Sequence, residues 1–533
     1  MIRLPQKETK TLVAIHGWSG VLLGLLLYAV IVTGTAAVFT QEINTWSAGA
    51  LRTDNPLQRP FDATLRKLAA ETPAHYRDDV NISGTTTGNL SAFFHRHEKN
   101  AKGETVERGV RYVVAPDGRV VSRSEGLSED LFAGDIDSAL GRFFVDIHVR
   151  LHIPNPYGLI LTGVLGLVML LAAVSGLLMH RHIFTDLFTQ RGRQRMVGLR
   201  DLHTVAATWT LPHAFVLAFT GAFFSFALSI GIPLLAHVAF AGNQEAMIET
   251  LVGGKAKPDP RPADSANLDR MIADARSRAG TEVSFMAIEH WGRADAHVTV
   301  WNKPAEGALN GAIFTYQGAT GAFVADKPAL GTRPSAGGTV YALMGPLHFG
   351  NFAGWWSKSV WFALGAASAY VTWSGMLLWL RRRDEKPGWR GFGRVTAWVG
   401  GGLPLGLTVA AAAYFLALPS GTALWWMPAA FLMTAALALA PALLAPSALI
   451  APVLFGATGL VLLVLPILRL ANGGPGWSMA LQASQPVIPA VDVLVVIGGL
   501  VALYGAAQAL RREGFPRWLP AMKPAEQAHA DIL

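Results

Sequence analysis

Ile15-His16-Gly17-Trp18, followed 17 residues after its histidine by Thr33-Gly34, returns as Leu202-His203-Thr204-Val205, followed 17 residues on by Thr220-Gly221. Each copy lies in an apolar run. Each is answered by a second run that opens on Leu-His with a glycine six residues later: Leu151-His152 with Gly158, and Leu347-His348 with Gly354. Both second runs close on a Ser-Gly pair, Ser175-Gly176 and Ser374-Gly375. The pattern is that of a duplicated unit, each copy built as helix, polar segment, helix.

The composition sets the solvent. Of 533 residues, 51% are hydrophobic and only 15% charged, against about 25% charged in an ordinary soluble protein. A soluble enzyme is excluded. Runs long enough to cross about 30 Å of hydrocarbon lie near 12–40, 157–180, 204–239, 355–380, 395–418, 423–443, 448–470 and 488–510. The fold class expected is an integral membrane, mainly α-helical protein with eight transmembrane helices. The first run lacks a small-x-small exit and carries a histidine, so it reads as a retained span rather than a cleaved signal.

The charges orient the spans. Segments 1–11, 181–203, 381–394 and 511–533 hold 18 Lys/Arg and 8 Asp/Glu, whereas 41–156 and 240–346 hold 24 and 27. By the positive-inside rule the first set is cytoplasmic, so both termini face the cytoplasm and two large polar segments face outward. The formal net charge of +8 therefore reports topology and contact with membrane lipid, and no nucleic-acid partner is expected.

The division that follows is 1–40 (span one), 41–156 (outer domain one), 157–180 (span two), 181–203 (basic loop), 204–239 (span three), 240–347 (outer domain two), 348–380 (span four) and 381–533 (a further four-helix module). Each outer segment begins with a helical stretch, 63–70 or 268–279, and continues into alternating strands such as 109–115 and 296–301. Pro116-Asp117-Gly118 is a turn signal followed by a valine-rich strand. Small α+β domains are expected.

There is no cysteine, which removes disulfides, thiolate metal sites and covalent c-type haem. The fifteen histidines are left as the strong ligands. The repeat places His16 and His203 at one depth near the inner face, and His152 and His348 at one depth near the outer face. A duplicated unit packed about a pseudo-two-fold axis makes such residues face each other, which suits two bis-imidazole haem b sites. A ligand-capable residue within a span is a functional candidate by default; the plainer alternative is an interfacial histidine bonded to headgroups or backbone. Further candidates are His148, one turn before His152; His180 and His182 at the inner end of span two; and His213, ten residues into span three, as a ligand partnered by His180 or as a hydrogen-bond donor. His95 and His97 alternate on a strand and share one face, where solvent exposure is expected. No HExxH sequence, GxGxxG fold or flavin domain is visible.

With these features the chain resembles the PepSY-associated transmembrane helix family. The resemblance rests on the His16 start with Thr33-Gly34, on Leu347-His348-Phe349-Gly350, and on Pro116-Asp117-Gly118-Arg119-Val120 as the strand of a PepSY-like domain, and it covers about residues 8–385. It implies an iron-regulated inner-membrane protein of Gram-negative bacteria, of the type that includes haem-containing ferrisiderophore reductases. His16, His152, His203 and His348 are then the haem ligands, a periplasmic ferric-siderophore the substrate, and a cytoplasmic donor of unassigned identity the electron source. Two alternatives stand beside it: a non-redox PepSY membrane protein that binds or regulates a periplasmic partner, and a transport component using spans five to eight, where Asp492 is the only acid.

Overall fold

The computed structural model describes residues 5–513 apart from 102–104, 181–187, 189–194, 244–245, 248–249, 252–257, 332 and 384. His182, most of the basic loop and the C-terminal basic segment beyond 513 lie outside the described residues. Among the described residues, seven helices are long and apolar enough to cross a bilayer, and a bent pair makes an eighth span. In chain order, the spans are Gln6–Leu22 with Gly24–Ala37, Tyr157–Met179, Met196–Phe240, Gly354–Arg381, Pro387–Ala417, Ala423–Leu444, Ser447–Ala471 and Val487–Arg511. The chain is a multi-pass membrane protein. Span one is broken, its halves meeting at 67° around Leu23, whose φ of −117° and ψ of 1° leave the helical region. Span three runs for 45 residues, about 67 Å at 1.5 Å per residue, and passes through a π turn at Ala227–Gly231.

The two polar segments do fold into α+β halves, but they share one sheet. Its strands are β1 (Asp79–Gly84), β2 (Leu90–Lys99), β3 (Thr105–Val114), β4 (Val120–Leu127), β5 (Val283–Glu289), β6 (His297–Asn302), β7 (Ile313–Gln317) and β8 (Phe323–Asp326). The order is β4-β3-β2-β1-β5-β6-β7-β8, with every neighbouring pair antiparallel. The halves join where Val80 faces Ile288 and Ile82 faces Met286. Either half alone would present β1 or β5 as an unpaired edge, and pairing them satisfies both.

One helix from each half, Asp62–Glu71 and Leu268–Ala279, covers the same face. Leu65, Leu68, Ile82, Phe94 and Val110 form one buried core with Met271, Ile272, Met286, Val298 and Val300. The two helices cap each other. Leu268 N–H donates to Asp62 Oδ1 at 3.0 Å, and Phe61 N–H to Asp269 Oδ1 at 2.8 Å, so each carboxylate takes backbone donors that its neighbour's first turn would leave unpaired. The expected turn also forms: Gly118 adopts φ +83° and its N–H reaches Ala115 O at 2.9 Å, linking β3 to β4.

Spans five to eight pack along spans one and four and against helix Ala139–Arg150 of the duplicated unit. Leu407, Tyr414, Phe415, Met427, Leu465 and Ile488 share a core with Trp46, Leu140, Phe143 and Ile147, the last three on helix Ala139–Arg150. Tyr414 Oη donates to Ile136 O at 3.1 Å, and Tyr28 Oη to Gly400 O at 3.2 Å. Asp492 is the polar anchor of this junction. Its Oδ1 accepts from Trp46 Nε1 (2.7 Å) and Arg469 Nε (3.2 Å), its Oδ2 from Arg469 Nη2 (2.6 Å) and Trp477 Nε1 (2.8 Å). Four donors fill the lone-pair positions of one carboxylate, so this acid has a structural occupation and offers no support to a transport reading. Both members of the ion pair are fully buried. Asp492→Ala strands the Arg469 guanidinium and is expected to cost about 3–5 kcal/mol, read as a lowered thermal-unfolding midpoint of the full chain in detergent. An unchanged midpoint would show that the junction does not rest on this pair.

Candidate functional site: two facing histidine pairs

Four imidazoles meet in two pairs. The rings of His16 on span one and His203 on span three have centroids 6.5 Å apart. Those of His148 and His348 lie 6.0 Å apart. The first pair is the expected one. The second corrects the expectation: His348 faces His148, and His152 faces neither.

The reason is local. Helix Ala139–Arg150 ends at Leu151 (φ +52°), and His152 follows at φ +56°, a left-handed turn that leads the chain into span two at Tyr157. His152 is thereby off the helix and exposed, its ring resting on Phe143 at 5.1 Å. His148, one turn earlier, keeps its place near the helix end. His348 occupies the matching place near the end of Ala336–Phe349, just before Gly350 at φ +63°. Aligning the two Leu-His pairs therefore shifts the first copy by one turn. Pro154 and Pro156 are the signal that bears on this, because the helix had to end upstream of them.

Each imidazole is seated in the same way on the other helix of its own repeat. His16 Nδ1 lies 3.0 Å from Ala172 O and 3.2 Å from Ser175 Oγ on span two. His203 Nδ1 lies 3.0 Å from Ser374 Oγ on span four. His348 Nδ1 lies 2.9 Å from Thr220 Oγ1 on span three, and His148 Nδ1 lies 2.9 Å from Val30 O on span one. The hydroxyls spend their own protons on carbonyls of their helices: Ser175 on Leu171 O, Ser374 on Val371 O, Thr220 on Val216 O. They are left as acceptors, as the carbonyls must be. At His16 and His148 the carbonyl can only accept, so Nδ1 carries the hydrogen and Nε2 keeps a lone pair; with the Ser374 and Thr220 protons on carbonyls, the same tautomer suits His203 and His348.

The residue after Ser175, Ser374 and Thr220 is glycine, and Thr33-Gly34 takes the matching place beside His148, whose own seat is the Val30 carbonyl. A Cβ built on Gly34 would stand 2.6 Å from His148 Cε1; on Gly375, 3.2 Å from His203 Cε1; on Gly221, 3.3 Å from His348 Cε1; on Gly176, 3.4 Å from His16 Cε1. The four Thr-Gly and Ser-Gly pairs are thus seats for the four histidines, a role the sequence reading did not assign to them.

This donor set fits an iron macrocycle. An imidazole whose far N–H is fixed by an oxygen is the usual form of a metal-bound histidine. Two metal–nitrogen bonds of about 2.0–2.1 Å, extended to the ring centres, put the centroids roughly 6 Å apart, as both pairs are. His213, also on span three, is 5% exposed and meets the edge of Trp361 at 5.5 Å, yet neither of its ring nitrogens has a hydrogen-bond partner. A buried imidazole with both nitrogens unmet is costly unless a ligand supplies a partner. His180 caps the end of span two. It lies at the far end from the sheet, whereas His213 stands ten residues, about 15 Å of helix, beyond His203 toward the sheet. His95 and His97 share a face of β2, but His95 is 3% exposed, which corrects the expectation of solvent exposure.

A match to the family described as the PepSY-associated TM region covers residues 13–382. A Pseudomonas aeruginosa protein described as uncharacterized, PA4219, is 29% identical over 293 residues, 51% of this chain and 71% of that one. The matched region ends with span four, so it contains both ring pairs and all four seats.

The seats make a test that needs no ligand. Gly34→Ala drives a methyl into His148 and is expected to lose about 1–3 kcal/mol of stability. Gly20→Ala, where an added Cβ meets nothing within 4 Å, is expected to be neutral or slightly stabilising. Equal unfolding midpoints for the two variants would contradict the seating.

Proposed function

The chain belongs to the PepSY-associated TM family, and on that premise we propose that it is a b-type haem reductase of the bacterial inner membrane, passing electrons outward to a ferric-siderophore. The observation that carries the reading is the pair of facing imidazoles, twice over, each with its Nδ1–H held by an oxygen. His16 and His203 would hold one haem, His148 and His348 the other. Bound there, haem supplies one-electron transfer, and with it the reduction of a ferric chelate at the outer face.

The chain's own residues do the positioning. Ser175, Ser374, Thr220 and the Val30 carbonyl fix the tautomer and the ring planes, which keeps each Nε2 a neutral, basic donor. Span three sets the separation: His203 and the Thr220 seat of His348 are 17 residues apart, about 25 Å of helix, so the two sites belong to opposite leaflets. His213, between them, would donate a hydrogen bond to the group held by His348. The positive-inside charge pattern assigns the His16–His203 end and both termini to the cytoplasm, where an electron donor would dock, and the sheet to the periplasm. For the substrate, reduction of Fe(III) to Fe(II) weakens its hold on hard oxygen donors, which frees the iron while leaving the chelator intact.

The test is optical. The full chain purified from haem-supplied cells is expected to show Soret, α and β bands and two haems per chain. His148→Ala or His348→Ala should remove one haem, His16→Ala or His203→Ala the other, and His152→Ala neither. A colourless protein would overturn the reductase reading and favour a non-redox, partner-binding role. Loss of haem from His152→Ala with full retention in His148→Ala would overturn the pairing.

A further inference from the structure

One corner of the sheet, apart from both ring pairs, gathers four metal-ligating side chains from three strands. Asp79 opens β1 opposite His95 of β2. His97, two residues on, stands opposite Glu107 of β3. Residues directly paired across an antiparallel ladder share a face, as do residues two apart on one strand. All four side chains therefore emerge together, on the face opposite the core that holds Val80, Phe94 and Val110.

Three of the four are close enough for one ion, and Glu107 stands beside them. One ligand atom each from Asp79, His95 and His97 lie within 4.8 Å of one another. His97 Nδ1 is 3.3 Å from Asp79 Oδ2, and Glu107 Oε1 is 3.7 Å from both His95 Nε2 and His97 Nε2. Ligands at about 2.0–2.1 Å around a tetrahedral ion stand roughly 3.3–3.5 Å apart, so Asp79, His95 and His97 draw together around the ion through one ring nitrogen or carboxylate oxygen each and Glu107 swings in as the fourth ligand.

The ligands are also oriented. His95, 3% exposed, donates its Nδ1–H to Asp79 O at 3.2 Å and stacks on Phe93 at 4.7 Å. Its Nε2 thereby faces Glu107 Oε1 at 3.7 Å, a separation that a proton or a metal ion can bridge. Asp79 Oδ1 accepts the His290 N–H at 3.2 Å. Burial pushes the Asp79 carboxyl up, but the hydrogen bonds from His97 and His290 and the nearby imidazoles bring it below its ordinary value.

We propose that Asp79, His95, His97 and Glu107 form a binding site for a divalent first-row transition-metal ion, with the two-nitrogen, two-oxygen donor set that suits Zn²⁺. The site is independent of the transmembrane histidines and of the reductase reading.

The experiment titrates Zn²⁺ into the tag-free full chain in detergent against a chromophoric chelator. The same titration is run on His97→Ala, Glu107→Gln and, as a control, His75→Ala, an exposed histidine outside the cluster. His97 is 52% exposed, so its replacement should leave the fold intact, which the metal-free unfolding midpoint reports. The proposal expects one Zn²⁺ site whose affinity falls about tenfold or more in His97→Ala and in Glu107→Gln and is unchanged in His75→Ala. It also expects zinc to raise the unfolding midpoint of the wild type but not that of His97→Ala. Equal zinc affinity in wild type and His97→Ala, or a wild-type midpoint indifferent to zinc, overturns it.

Discussion

A hydrogen bond from an imidazole Nδ1 to an oxygen on a neighbouring helix, made four times, organises the membrane half of this protein. Each such ring sets its Cε1 against a glycine of that helix, closely enough at Gly34 that an added Cβ would clash and at Gly375 and Gly221 that it would crowd the ring. Seating occurs within a repeat: span one with span two, span three with span four, and the helix before each second span back onto the first. Pairing occurs between repeats, His16 with His203 and His148 with His348. The duplication is thus more than a doubling of parts, since neither copy alone can present two imidazoles to one ion.

The parts outside the spans serve that geometry. The fused sheet ties the two polar segments through one ladder and two reciprocal helix caps, which restrains the helices leading into spans two and four. Helix Ala139–Arg150, which carries His148, is held further by the four extra spans through Phe143 and Ile147 and through the buried Trp46–Asp492–Arg469 junction. Lys358 of span four reaches Glu42 at 2.6 Å across the same side. The four extra spans therefore brace the sheet-side histidine pair, and none of them carries a histidine.

Much of this was legible in the sequence because periodicity and spacing are local properties. The eight apolar runs, the duplication, the α+β character of the polar segments and the meeting of His16 with His203 all follow from residue order. What escaped the reading depends on backbone turns and on tertiary packing. The positive φ values at Leu151 and His152 place His148, one turn earlier, and not His152 opposite His348. The joining of β1 to β5 is a contact between strands some 200 residues apart, with no short-range signature. The Thr-Gly and Ser-Gly pairs were visible as repeated marks, but their function depends on which ring lies across them. His95 went from an expected surface residue to a buried one because the strand face opposite the core is itself covered, by Phe93 and by Arg111 with its partner Asp135.

The central claim is that four histidines form two six-coordinate, bis-imidazole iron sites. Low-temperature electron paramagnetic resonance of the oxidised, haem-loaded full chain tests it most directly, because the signal reports the axial ligands themselves. The account predicts two low-spin ferric signals of the bis-imidazole kind and no high-spin signal. A high-spin signal, or a single low-spin species accounting for all the haem with one equivalent per chain, would contradict it.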